Sequence, residues 1–205
     1  VPGARKPFSI AGASARQARK IGPVTPPPDL PPPAPATPPP AARPTLAQEC
    51  GLAWPRPALA TWPPDAHLAL ALLLAVPVWL ALGLWVGPHM LAPQGWLAWA
   101  LFVAAQPLVE ELVFRGALQG QALRLTSPHG QPRRLGPVTL ANVLVTLGFV
   151  ALHLRAQPLA WALAVAVPSL VLGHLRERFA SVWPAVAVHA FYNAGFGLTA
   201  WLARG

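Results

Sequence analysis

Beyond Asp65 the chain is a succession of apolar runs separated by short stretches of proline, glycine and arginine. Each run is close to the ~20 residues that a helix needs to cross a hydrocarbon core. They cover about residues 67–86, 95–115 and onward, 137–154, 158–175 and 182–202. This pattern predicts an all-α, polytopic membrane bundle of about five transmembrane helices. Trp85, Trp96, Trp183 and Trp201 fall near run ends, where indole rings favour the headgroup layer. Gly116 and Gly120 form a small-xxx-small pair that would let a neighbouring element approach closely. Before residue 66 the pattern is lost in a proline and alanine tract that includes Pro26-Pro27-Pro28 and Pro38-Pro39-Pro40. Proline has no amide donor and fixes its own backbone angle, so residues 1–65 are expected to be a disordered tail and 66–205 the membrane domain. No apolar run with a small-residue cleavage site precedes the tract, so the first run is expected to act as the insertion signal.

Charge refines the topology. The formal net charge is +9, but the arginines stand at the ends of apolar runs and are not gathered with aromatics in one patch. The reading is orientation signal and lipid contact, with no nucleic-acid partner. Arg43 and Arg56 precede the first run, Arg124, Arg133 and Arg134 follow the second, and Arg176 and Arg178 follow the fourth. With five crossings these regions share one side, which the basic-loop rule makes cytoplasmic together with the N-terminus. Cys50 is the only cysteine, so neither an internal disulfide nor a cysteine metal cluster can form.

The acidic residues are the informative ones. Between Asp65 and Glu177 the only carboxylates are the adjacent Glu110 and Glu111, inside an apolar run. A charge near mid-membrane costs about 2.5–3.5 kcal/mol on insertion scales and by default marks a functional site. Three short motifs lie on three separate runs: Glu110-Glu111-x-x-x-Arg115, Phe149-x-x-x-His153 and His189-x-x-x-Asn193. Helical residues four apart share a face, so Glu111 is expected to meet Arg115 while Glu110, about 100° around the helix, faces a cavity. A carboxylate and a histidine can together activate a water, and an Asn amide with a His ring N–H can stabilise the oxyanion formed when that water attacks a peptide carbonyl. No Gly-x-Ser-x-Gly elbow is present, which argues against a serine nucleophile.

The ordered trio resembles the CPBP family of CAAX proteases and bacteriocin-processing enzymes, which are glutamic-type intramembrane proteases. The resemblance covers roughly residues 106–197, including the tract Ser181-Val-Trp-Pro-Ala that leads into the third motif. It implies that Glu110 activates the water, His153 assists it, and His189 with Asn193 forms the oxyanion site. Glu111 and Arg115 would support them, with Phe149 as packing and without metal or cofactor. It further implies a protein or peptide substrate at the lipid bilayer. The compact build is similar to bacterial members linked to C-terminal sorting signals, which implies a bacterial inner membrane.

Two alternatives use the same residues. Glu110, His153 and His189 could be the three protein ligands of a zinc-dependent protease, although the His-Glu-x-x-His helix is absent. A small transporter or scaffold could use the carboxylates as a proton or cation relay. His67, His129 and His174 lie near run ends and are left outside the site. Counted along straight helices, Glu110 and His153 fall at different depths. The expected resolution is that Pro107 and Pro137 break the regular helices and make the second span a longer, irregular element.

Overall fold

The computed structural model describes residues 44–55, 65–86 and 90–204. Most of the expected proline-rich tail therefore lies outside the described residues. The fold is an all-helical membrane bundle. After a short helix α1 (Leu46–Glu49) come α2 (Ala66–Trp85), a continuous 32-residue helix α3 (Gly95–Thr126), and α4 (Leu140–His153). The chain continues as α5 (Leu159–Ala164) and α6 (Ala166–Arg178), which together make one span, and ends with α7 (Trp183–Leu202). Of the five expected spans, α2, α3 and the α5–α6 span are long and apolar enough to cross a membrane. α4 has only 14 residues. α7 has the length but carries the polar His189, Tyr192 and Asn193 in its middle.

Among the described residues the exception to all-helical structure is a small antiparallel hairpin, β1 (Arg134–Leu135) with β2 (Val138–Thr139), in the register Arg134 to Thr139 and Leu135 to Val138. Pro137 sits in its turn after Gly136 at φ +63°, so this proline turns a hairpin and does not break a membrane helix. Pro107 behaves differently, as described below.

Local chemistry sets where the helices begin. Asp65 caps α2 by accepting from the amides of His67 and Leu68 at 3.0 and 3.1 Å, and Thr139 caps α4 by accepting from the Asn142 amide at 3.0 Å. Pro184 stands in the first turn of α7, where its missing amide costs no helix bond. The core between α2, α6 and α7 is built from Ala71, Leu172, Leu175, Phe179, Ala185 and Val188. On α7, Gly195 receives the indole of Trp79 and Gly197 that of Trp99; a Cβ at either position would collide with the ring. These glycines bring α2 and α3 against the helix that carries His189.

The segment 44–55 departs from the expected extended tail. Thr45 and Gln48 form a capping box that starts α1. The segment then docks by its backbone: the Val182 amide donates to Gly51 O (2.8 Å), Ser181 Oγ to Ala53 O (2.8 Å) and Arg176 Nη2 to Glu49 O (2.8 Å). Gly51, at φ +65°, lies against the Arg176 guanidinium, and a Cβ on Gly120 would collide with the Glu49 carbonyl. The close approach expected at Gly116 and Gly120 is thus made by α1. Proline content predicts disorder only where no partner surface collects the backbone carbonyls, and here Arg176 and Ser181 do so.

Candidate active site

α3 is regular only in part. Two π-helical stretches, Leu101–Ala105 and Leu112–Leu118, flank the α-helical turn Gln106–Glu111 that carries both glutamates. π turns inside α-helices recur at functional sites. Glu110 consequently stands at the midpoint of the 32-residue span, as the expected longer and irregular element requires.

Beside each π stretch a backbone carbonyl of α3 accepts from a side chain of another helix. Near the first, the Gln106 amide bonds to Leu101 O, five residues back. The next amide would belong to residue 107, which is proline and has none. Phe102 O is left without its helical donor and accepts from Asn193 Nδ2 at 2.8 Å. Near the second, the Gln119 amide bonds to Gly116 and Phe114, and Arg115 O accepts from Arg176 Nε at 3.2 Å.

The two glutamates have different surroundings. Glu111 and Arg115 are fully buried. Arg115 Nη1 donates to Glu111 Oε1 at 3.1 Å, and Nη2 donates to Ser169 Oγ (2.8 Å) and Ser169 O (3.0 Å) on α6. Its guanidinium also lies 4.8 Å from the centroid of the Phe149 ring. Ser169 Oγ is joined to Thr146 Oγ1 of α4 at 2.9 Å. Glu110 is partly open to the surface, with 19 % of its side chain exposed. It accepts from Gln106 Nε2 through Oε1 at 2.9 Å, and its Oε2 is buried with no hydrogen-bond partner among the described residues.

His189 joins the two carboxylates. Its Nδ1 lies 2.8 Å from Glu111 Oε1 and its Nε2 lies 3.8 Å from Glu110 Oε2. A carboxylate facing a guanidinium accepts hydrogen bonds and has none to give, so Nδ1 carries the proton and Nε2 is left toward Glu110. His153 is not ion-paired to either glutamate. Its Nδ1 donates to Phe149 O at 2.9 Å, and its ring centroid lies 4.4 Å from that of Phe149. Phe149, itself edge-on to Phe114, thus lies against both His153 and Arg115.

Glu110, Glu111, Arg115, Phe149 and His189 therefore converge directly. His153 stands one ring away, and Asn193 stands one turn beyond His189, bonded to the α3 backbone. A zinc site would need Glu110, His153 and His189 to meet, and among the described residues no three His, Cys, Asp or Glu side chains are arranged to hold a metal ion. His67 and His174 lie elsewhere, stacked and hydrogen-bonded to one another at 3.0 Å.

Ser169, Thr146 and Gln106 were missed by motif reading. Ser169 had a signal, since it is the only hydroxyl residue in the apolar stretch 158–178. Gln106 stands one helical turn before Glu110, the same spacing that singled out Arg115.

Next to this geometry runs a shallow, open apolar groove along α3, lined by Ala98, Leu101, Phe102, Ala105, Gln106 and Val109. It shares Gln106 with Glu110, and Phe102, whose carbonyl holds Asn193, also lines it.

Comparison with known proteins gives one match. Residues 92–195 fit the family model described as type II CAAX prenyl endopeptidase, Rce1-like. That stretch contains all three motifs. No curated protein and no solved structure matches the chain.

Proposed function

Because the chain belongs to the Rce1-like type II CAAX prenyl endopeptidases, and so is a CAAX-protease-type membrane endopeptidase, we propose that it cuts its substrate with a water activated by Glu110. The substrate is a membrane-associated protein, cut near a C-terminus that the lipid phase delivers to the groove beside Gln106. The observation that carries this reading is the Glu110 Oε2 atom, buried, unpartnered and 3.8 Å from His189 Nε2 near the middle of a membrane span. An unpaired buried carboxylate oxygen is costly unless a reacting group completes it.

In the proposed step Glu110 removes a proton from water while the water oxygen bonds to the scissile carbonyl carbon. The C–N bond then breaks, and the proton held by Glu110 passes to the leaving amine. Gln106 keeps the Glu110 carboxylate aimed by binding its other oxygen. The oxyanion is met by the Asn193 amide, and by His189 Nε2 in the state where that nitrogen carries a proton. With Nδ1–H held by Glu111, Nε2 is the nitrogen that exchanges protons with the reacting groups. His153 assists through Nε2, its Nδ1 being engaged by Phe149 O. The cell membrane of a bacterium, with the N-terminus inside, is the proposed setting.

The test is turnover of a farnesylated peptide ending in Cys-aliphatic-aliphatic-X by the purified protein in lipid, paired with proteomics of membrane-protein C-termini in cells. Wild type should cut, and Glu110→Gln should insert, fold and leave the peptide intact. Equal cleavage by the two proteins would remove Glu110 from the mechanism. A wild type that moves protons or cations across vesicles and never cuts any peptide would point to the relay instead.

A further inference from the structure

Pro107 carries no functional group, yet it decides where Asn193 binds. In an α-helix the carbonyl of residue 102 would accept from the amide of residue 106, and in a π turn from that of residue 107. The first amide is bonded to Leu101 O, and the second does not exist because residue 107 is proline. Phe102 O therefore has no helical donor, and Asn193 Nδ2 occupies it at 2.8 Å. A carbonyl can only accept, so this bond also fixes which way the Asn193 amide is turned: Nδ2 faces α3. One N–H of that NH₂ is held by Phe102 O, and the second is left to donate on the same helix face as His189, four residues away.

We infer that Pro107 is a positioning residue: by withholding an amide it leaves an acceptor in the wall of α3 onto which Asn193 docks, and this docking aims the second Asn193 N–H at the reacting carbonyl. The inference rests on the proposed role of Asn193 as an oxyanion donor. It adds a cause for that role which lies in the first motif's own helix, three residues before Glu110. It also explains why a buried proline is kept inside a membrane span: here its lost helix bond has become the docking point for a second helix.

The test is a set of replacements at residue 107, each of which restores an amide. In Pro107→Ala the new N–H competes for Phe102 O and releases Asn193. The expected result is a kcat lower by about 10-fold or more, approaching the ~10²–10³-fold typical of a lost oxyanion donor. KM should change less than about 2-fold, since ground-state binding is untouched, and the thermal unfolding midpoint should hold or rise, because a proline has left a helix interior. A residue that merely packs would lower stability and activity together. Pro107→Ser and Pro107→Leu should show the same loss as Pro107→Ala despite their different volumes. If the loss instead follows side-chain volume, or if Pro107→Ala turns over like wild type, the inference is overturned.

A double-mutant cycle completes the test. Pro107→Ala combined with Asn193→Ala should be no slower than Asn193→Ala alone, because both remove the same donor; additive losses would refute the coupling. Glu110→Gln run beside them separates the two ideas. A silent Glu110→Gln would sink the proposed chemistry, whereas an inactive Glu110→Gln beside a fully active Pro107→Ala would sink only the role of Pro107.

Discussion

The bundle buries two polar layers, and they treat their side chains in opposite ways. At the base, Glu177 of α6 accepts from Gln119 Nε2 of α3 (2.7 Å) and from Thr139 Oγ1 at the head of α4 (2.6 Å), while Arg176 holds the carbonyls of Arg115 and Glu49. Among the described residues the only buried side-chain atom there without a partner is Gln119 Oε1. In the middle of the span, Glu110 Oε2, Glu111 Oε2 and Arg115 Nε all lack one. Buried charge by itself is therefore a poor marker of chemistry in this protein. What distinguishes the middle layer is buried charge left incomplete.

The same substitution made in each layer should have opposite consequences. Glu110→Gln should lower kcat by about 10²–10⁴-fold, the usual share of a positioned base, with an unfolding midpoint equal to or above wild type. Glu177→Gln should do the reverse, removing about 1.5–3 kcal/mol of stability through its weakened charged hydrogen bonds while the folded fraction turns over normally. Turnover per folded molecule and thermal unfolding, followed by the tryptophans, separate the two outcomes. If Glu110→Gln destabilises the protein as much as Glu177→Gln does, both layers are scaffolding.

Arg115 tests the middle layer from within. Removing one partner of a buried pair leaves an uncompensated charge, so Arg115→Met should cost about 3–5 kcal/mol. Adding Glu111→Gln to it should restore most of that stability, because no lone charge remains. Activity should not return with it, since the His189 Nδ1 proton then faces an amide in place of a carboxylate. Recovery of both together would reduce the Glu111–Arg115 pair to a packing element.

Much of this was legible in the sequence, for reasons that also explain what was not. Apolar runs end where the helices end to within a few residues, because the cost of an unpaired backbone in lipid fixes those limits. The second run, expected to go on past Arg115, continues as α3 to Thr126. What the run did not reveal is that Arg115 and Gln119 are fully buried against α6. The pairing of Glu111 with Arg115 followed from helical spacing. The bond from His189 to Glu111 could not, since residues 78 positions apart are brought together only by the packing of α7 on α3. Residues 46–49 were hidden by composition: proline-rich flanks masked a four-residue helix whose stability comes from Arg176, more than a hundred residues away.

Glycines at the base and in the hairpin give a smaller contrast. Gly51 and Gly136 share nearly the same left-handed backbone, φ +65° and +63°. Alanine at either should cost at least ~1 kcal/mol from backbone strain alone. At Gly136 nothing lies near the added Cβ, whereas at Gly51 it meets the Arg176 guanidinium. Gly51→Ala should therefore be the more damaging in thermal unfolding and should release residues 44–55 to limited proteolysis, which Gly136→Ala should not do. Equal behaviour would mean that the base layer does not hold α1.

The smallest expected effect lies at the rim, where the Asp65 carboxylate meets Arg178 at 2.7 Å across the start of α2 and the end of α6. The Arg178 hydrogen bond, helped by the amides of Leu68 and His67, holds the Asp65 carboxyl below its ordinary value. A depressed folded value means that the unfolded chain binds the proton first as pH falls. The contribution is complete above the ordinary carboxyl range near ~4 and is lost as pH drops through the lower folded value. Asp65→Asn keeps the shape of the cap but has no such titration. Its unfolding midpoint should lie slightly below wild type at neutral pH, and the gap should close below about pH 4. A gap that stays constant down to pH 2 would show that the charge on the Asp65 carboxylate contributes nothing to folded stability. The ion pair with Arg178 would then add nothing to the joint between α2 and α6.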